Sequence, residues 1–107
     1  MTSCREAIAR TWPADLQAVA VLTMTSENGQ EKPDRVSGKN YDGSVDYGCF
    51  QLNNKAHPGF FKNSNWANSV ENAAYAYKIF KSRGNFSAWY AVCTPSRQAK
   101  KPGIWCK

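Results

Sequence analysis

Eight carboxylates, four thiols and one imidazole are the groups of this 107-residue chain best suited to acid–base work, metal binding or thiol chemistry at neutral pH. The imidazole, His57, is followed by Pro58-Gly59, so it reads as a loop histidine. Cys49 or Cys93 paired with His57 would make a cysteine peptidase or amidase, but that needs a free thiol, and the cysteine count is even. Zinc is not expected, because there is no Cys-x-x-Cys and only one histidine. No phosphate-cradling glycine loop and no helix-turn-helix pattern occurs, which leaves specific nucleic-acid binding without support beyond charge. The most informative segment is Asn40-Tyr41-Asp42-Gly43-Ser44-Val45-Asp46-Tyr47-Gly48-Cys49-Phe50-Gln51-Leu52-Asn53. It combines two carboxylates with several side-chain amides in fourteen positions.

This run is similar to the ribbon-and-helix segment of c-type lysozymes and of bacterial and phage lysozyme-like domains. Their pattern is approximately N-x-D-G-S-x-D-Y-G, two hydrophobic residues, Q, a hydrophobic residue, N. Val70-Glu71-Asn72-Ala73-Ala74, Lys78 to Gly84, and Ser87-Ala88-Trp89 resemble the later helix and tryptophan motif of that superfamily. The likeness spans roughly residues 10–93. It implies a glycosidase acting on the β-1,4 bond between N-acetylmuramic acid and N-acetylglucosamine. Such chemistry sets two carboxyl groups across the bond: one protonated as acid, one ionised as nucleophile or stabiliser. On the resemblance Asp46 is the second carboxylate. Asp42 and Ser44 share its ribbon, and Gln51 and Asn53 line the sugar cleft. Trp89 or Trp66 would stack on a sugar face.

The acid should be a glutamate in a Glu-Ser pair ending the second helix, and the matching pair here is Thr25-Ser26. A threonine hydroxyl is no proton donor near neutral pH. Three explanations stand: an inactivating substitution, a natural loss of activity, or an offset of two residues in the match. Glu27 lies about 200° around the helix from Thr25, the opposite face, and Glu31 lies beyond Gly29 in a loop. The alternatives to a two-carboxylate hydrolase are a peptidoglycan- or chitooligosaccharide-binding module without catalysis, and a lytic transglycosylase needing one acid.

The elements that must hold these residues follow from capping and periodicity. Ser3 with Glu6 three positions on predicts a capping box and a helix over 3–10. A second helix starts near Pro13, carries Leu16, Val19, Ala20 and Met24 on one face, and stops at Asn28-Gly29. Turn formers predict an antiparallel hairpin or ribbon over 30–48, with a further helix beginning over 49–53 and a loop over 54–67. The clearest helix is 69–83, capped by Asn68 or Ser69, with Lys78, Lys81 and Arg83 near its end and Gly84 after it. A short last helix over 87–93 precedes an irregular tail over 94–107. The sum is one α+β domain over 1–107, mainly helical, with a small antiparallel β-ribbon.

The formal net charge is +6, and residues 47–107 hold a single acid, Glu71, among many bases. A basic half attracts polyanions, the bacterial wall among them. Four cysteines in a short chain favour an oxidising, extracytoplasmic compartment, although no leader is evident before Arg10. Chain ends often meet, which pairs Cys4 with Cys106 and leaves Cys49 for Cys93. The expected partner is peptidoglycan or an N-acetylglucosamine-containing oligosaccharide. No cofactor, no metal, no membrane span and no obligate oligomer are expected.

Overall fold

The computed structural model describes residues 2–93 and Cys106. The fold is α+β: among the described residues there are four α-helices, two 3-10 turns and one two-stranded sheet. Helix α1 spans Cys4–Thr11, and the capping box forms as expected: the Ser3 hydroxyl accepts from the Glu6 amide, and the Glu6 carboxylate accepts from the Ser3 amide. Pro13 stands just before a single 3-10 turn, Ala14–Leu16, and α2 proper is Gln17–Glu27. Asn28 stops it, as its place before glycine suggested. Helix α4, Ser69–Arg83, also matches expectation: the Asn68 side chain accepts from the Glu71 amide, and Gly84 closes the helix with φ 75°. That left-handed value suits glycine, which has no Cβ to clash.

Three boundaries differ from the sequence reading. The paired strands are β1, Asp46–Tyr47, and β2, Leu52–Asn53, antiparallel with Asp46 opposite Asn53. The ribbon therefore sits later than 30–48, and residues 49–53 turn into its second strand rather than a helix. Gly48 at φ 81° and Gln51 at φ 52° make the reversal between the strands, and a helix tolerates neither. Of the earlier segment, Val36 alone joins, as an isolated bridge to Tyr47. The third difference is α3, Pro58–Asn63, within the expected loop: Pro58 occupies its first turn, where a missing amide proton is harmless. The last helix is a 3-10 turn, Tyr90–Cys93.

The cysteine pairing is corrected. The disulfides are Cys4–Cys49 and Cys93–Cys106, with Cα–Cα distances of 5.6 and 5.7 Å. The N-terminal helix lies over the strand turn, so Cys4 meets Cys49. The irregular tail expected over 94–107 otherwise falls outside the described residues.

Helix α1 packs on α4, and Trp12 sits at the centre of the core. Its ring stacks between Phe50 and Phe86, with centroids 5.7 Å from each, and its indole N–H donates to the Ala73 carbonyl at 3.0 Å. A buried indole needs such an acceptor. Asn72 of α4 is fully buried and ties the helix to the ribbon. Its Oδ1 accepts from the Phe50 amide at 2.9 Å, and its Nδ2 donates to the carbonyls of Tyr47 and Trp66.

Candidate active site

The end of α2 faces the ribbon. Asn28 produces that approach: its side chain donates to the Lys32 carbonyl at 2.8 Å and to the Gly48 carbonyl at 3.4 Å, and accepts from the Lys32 amide. The residue just before it, Glu27, thereby looks into a cleft of about 300 Å³. Glu27 continues the stripe of Ala20, Thr23 and Met24, spaced i, i+3, i+4, i+7, all of which are buried. Its carboxyl accepts from the Ala91 amide at 3.3 Å. Partial burial pushes its pKa up and the negative charge of Asp46 pushes the same way, while the Ala91 bond and Arg35 oppose them; the net direction is upward.

Asp46 lines the same cleft, near enough for its charge to act on Glu27. Its two oxygens accept from the Asn53 amide at 3.0 Å and the Asn40 amide at 3.2 Å, which fixes how the carboxylate points. The cross-strand pairing of Asp46 with Asn53 makes the shorter bond possible.

Of the residues expected at the site, Asp46, Gln51, Asn53 and Trp89 line the cleft. Gln51 uses its amide to donate to the carbonyls of Arg35 and Gly48, so it holds the turn as well. Trp89 is almost wholly buried and donates to the Phe50 carbonyl at 3.1 Å, leaving only an edge on the cleft. Four expected residues do not line it. Thr25 donates its hydroxyl to the Leu22 carbonyl on its own helix. Asp42 and Ser44 lie behind Asp46: the Asp42 carboxylate accepts from the amide and hydroxyl of Ser44, which holds its pKa below the ordinary carboxylate value. Buried Ser44 accepts in turn from Asn40 and Asn53, the same two amides that orient Asp46. Trp66 packs on Tyr47, with centroids 4.8 Å apart, away from the cleft.

Glu31 forms a surface ion pair with Arg5 at 2.6 Å and takes no part in the cleft. All four cysteines are bridged, which excludes a thiol nucleophile. Glu27, the carboxylate set aside on helical geometry, is the one that meets Asp46, and Asn40, His57, Arg83 and Tyr90 join it without having been singled out for the site. His57 approaches Tyr75, its Nδ1 3.2 Å from the phenol oxygen, and burial followed by the charge of Arg83 lowers its pKa. Among the described residues no cluster of His, Cys, Asp and Glu is arranged to hold a metal ion. No helix there is long and apolar enough to cross a membrane.

Two carboxylates lining one cleft, one of them raised in pKa, match the pair of groups glycosidases use. A family model described as a lysozyme-like domain matches residues 10–91, most of the chain. The chain belongs to the lysozyme-like domain family. Membership places it on a scaffold of peptidoglycan-acting glycosidases and transglycosylases. Among curated proteins and among solved structures, none matches it significantly.

Proposed function

We propose that this lysozyme-like domain hydrolyses the β-1,4 bond between N-acetylmuramic acid and N-acetylglucosamine, with Glu27 as the acid and Asp46 as the second carboxylate. The observation that carries this is the shared cleft: Glu27 and Asp46 both line it, and the neighbourhood of Glu27 favours its protonated form. Protonated Glu27 gives its proton to the glycosidic oxygen as the C–O bond breaks. Asp46 stabilises the positive charge that develops at the sugar carbon, or bonds to it. Water then adds at that carbon, displacing the Asp46 carboxylate where it has bonded, and returns a proton to Glu27. Asn40 and Asn53 act as positioning residues for Asp46, with Asp42 and Ser44 behind them. Thr25 has no role in this scheme, so its presence gives no ground for regarding the chain as inactivated.

The two disulfides support an extracytoplasmic place of action, where the wall is also found. The test is product analysis by mass after digestion of purified peptidoglycan. Fragments with reducing ends support hydrolysis. Fragments with anhydro ends would replace it with a transglycosylase working through Glu27 alone. Oligosaccharide binding without any cleavage would leave a binding module.

A further inference from the structure

The cleft does not end at Asp46. A second hollow of about 280 Å³ opens beside it, and His57, Ile79 and Arg83 line both. Its remaining walls are Tyr75, Lys78 and Ser82. Positions 75, 78, 79 and 82 fall at i, i+3, i+4 and i+7, so one stripe of α4 forms the wall facing His57. His57 and Tyr75 meet edge to face, with centroids 5.3 Å apart, and close the floor. None of the six residues is acidic. Among the described residues neither Lys78 nor Arg83 forms an ion pair; Lys78 lies over the Tyr75 ring at 5.9 Å, and Arg83 reaches only the Ser87 hydroxyl at 3.4 Å. The hollow thus offers two cations and two hydroxyls around an apolar patch of Ile79 and Tyr75.

The geometry points to a side pocket for the anionic substituent of the bound glycan strand, namely a carboxylate of the short peptide that peptidoglycan carries on its muramic acid residues. The inference rests on the proposed glycan-cleaving function. Continuity with the cleft suits a ligand attached to the sugar chain held there. The charge of Lys78 and Arg83 favours an anion. The Ile79 and Tyr75 surface suits the alkyl part of a peptide, which a phosphate-linked wall polymer lacks. Lys78 and Arg83 would therefore set a preference for peptide-bearing over bare strands.

The experiment compares kcat/KM on three substrates: strands with their peptides, the same strands with peptides removed, and peptide-free strands that keep their phosphate polymers. The expected preference for peptide-bearing over bare strands is about tenfold, the scale of two partly exposed charge contacts. Lys78→Gln should cut that ratio about threefold, and Lys78→Gln/Arg83→Gln should abolish it. Both side chains are exposed, so the variants should fold, which circular dichroism checks. An equal ratio in wild type and both variants overturns the side pocket while leaving glycan cleavage intact. A preference that follows the phosphate polymer instead of the peptide also overturns it. Failure to cleave any of the three overturns the proposed hydrolysis, and this inference with it.

Discussion

Asn72 is the buried α4 side chain that hydrogen-bonds to the ribbon, and its removal should be severe. Asn72→Ala deletes three hydrogen bonds: one from the Phe50 amide and two to the Tyr47 and Trp66 carbonyls. At about 1 kcal/mol each, the loss is about 3 kcal/mol, and it grows if the buried Phe50 amide finds no new acceptor. For a domain of this size that is a large share of a stability of about 5–15 kcal/mol, and it lowers Tm by about 12–24 °C. Gly48 gives a second handle on the same joint. A Cβ there would lie 2.3 Å from Asn72 Nδ2, 3.1 Å from Asn72 Cγ and 2.7 Å from the Trp66 carbonyl oxygen. In the wild-type background Gly48→Ala meets all three and a φ of 81°; with Asn72→Ala in place the two side-chain clashes vanish, while the Trp66 contact and the left-handed backbone remain. The double variant should therefore be less damaged than the sum of the singles, by about 1 kcal/mol or more. Urea unfolding of the four proteins measures the cycle. A loss under about 1 kcal/mol for Asn72→Ala, or strict additivity, would refute the role assigned to this joint.

The pH dependence of cleavage should carry the mark of Glu27. Its raised pKa keeps the acid protonated above the ordinary glutamate range, so the rate should persist to higher pH and then fall as pH passes that raised value; a decline with its midpoint at about pH 4.3, the unperturbed value, would argue against it. The same shift has a stability sign: because the folded-state pKa is raised, the contribution is full below the unfolded pKa and is lost as pH rises through the folded one. Glu27→Gln removes that loss, so at neutral pH the variant should melt higher than wild type, and a lower Tm would contradict the burial argument. The disulfides should rank by the chain they enclose: with separations of 45 and 13 residues, replacing Cys4 and Cys49 by serine should cost about 4 kcal/mol and replacing Cys93 and Cys106 about 3 kcal/mol in the loop-entropy model. Non-reducing peptide mapping checks the pairing itself, and a Cys4–Cys106 peptide would overturn it.

Capping signals made the helices legible. Ser3 with Glu6, Asn68 with Glu71, Asn28-Gly29 and Gly84 act through neighbours a few residues away, so they read directly from the chain. The ribbon was legible as a motif but not in register, because its reversal depends on left-handed backbone at Gln51 as well as Gly48, and glutamine gives no sign of that. The cysteine pairing was not legible at all, since four cysteines allow three pairings and only the packed fold chooses. The cleft-lining Asp46, Gln51 and Asn53 stand out in the pattern of their segment. Glu27 does not, because a match that puts Thr25 on the cleft face turns Glu27 to the opposite one. The signal that finds it was present: a carboxylate seven residues after Ala20 and three after Met24 extends a buried stripe, and an acid in such a stripe is partly desolvated. Arg83 and Tyr90 join the cleft through contacts between distant segments, which spacing alone does not encode.

The choice between residues 25 and 27 is settled most directly by release of soluble fragments from purified peptidoglycan, measured for wild type, Glu27→Gln and Thr25→Ala. Wild type should cleave. Thr25→Ala should cleave within about threefold of it, since that hydroxyl meets only its own helix. Glu27→Gln, which keeps the shape and loses the proton, should fall by about a hundredfold or more. Undiminished cleavage by Glu27→Gln would contradict the assignment of the acid.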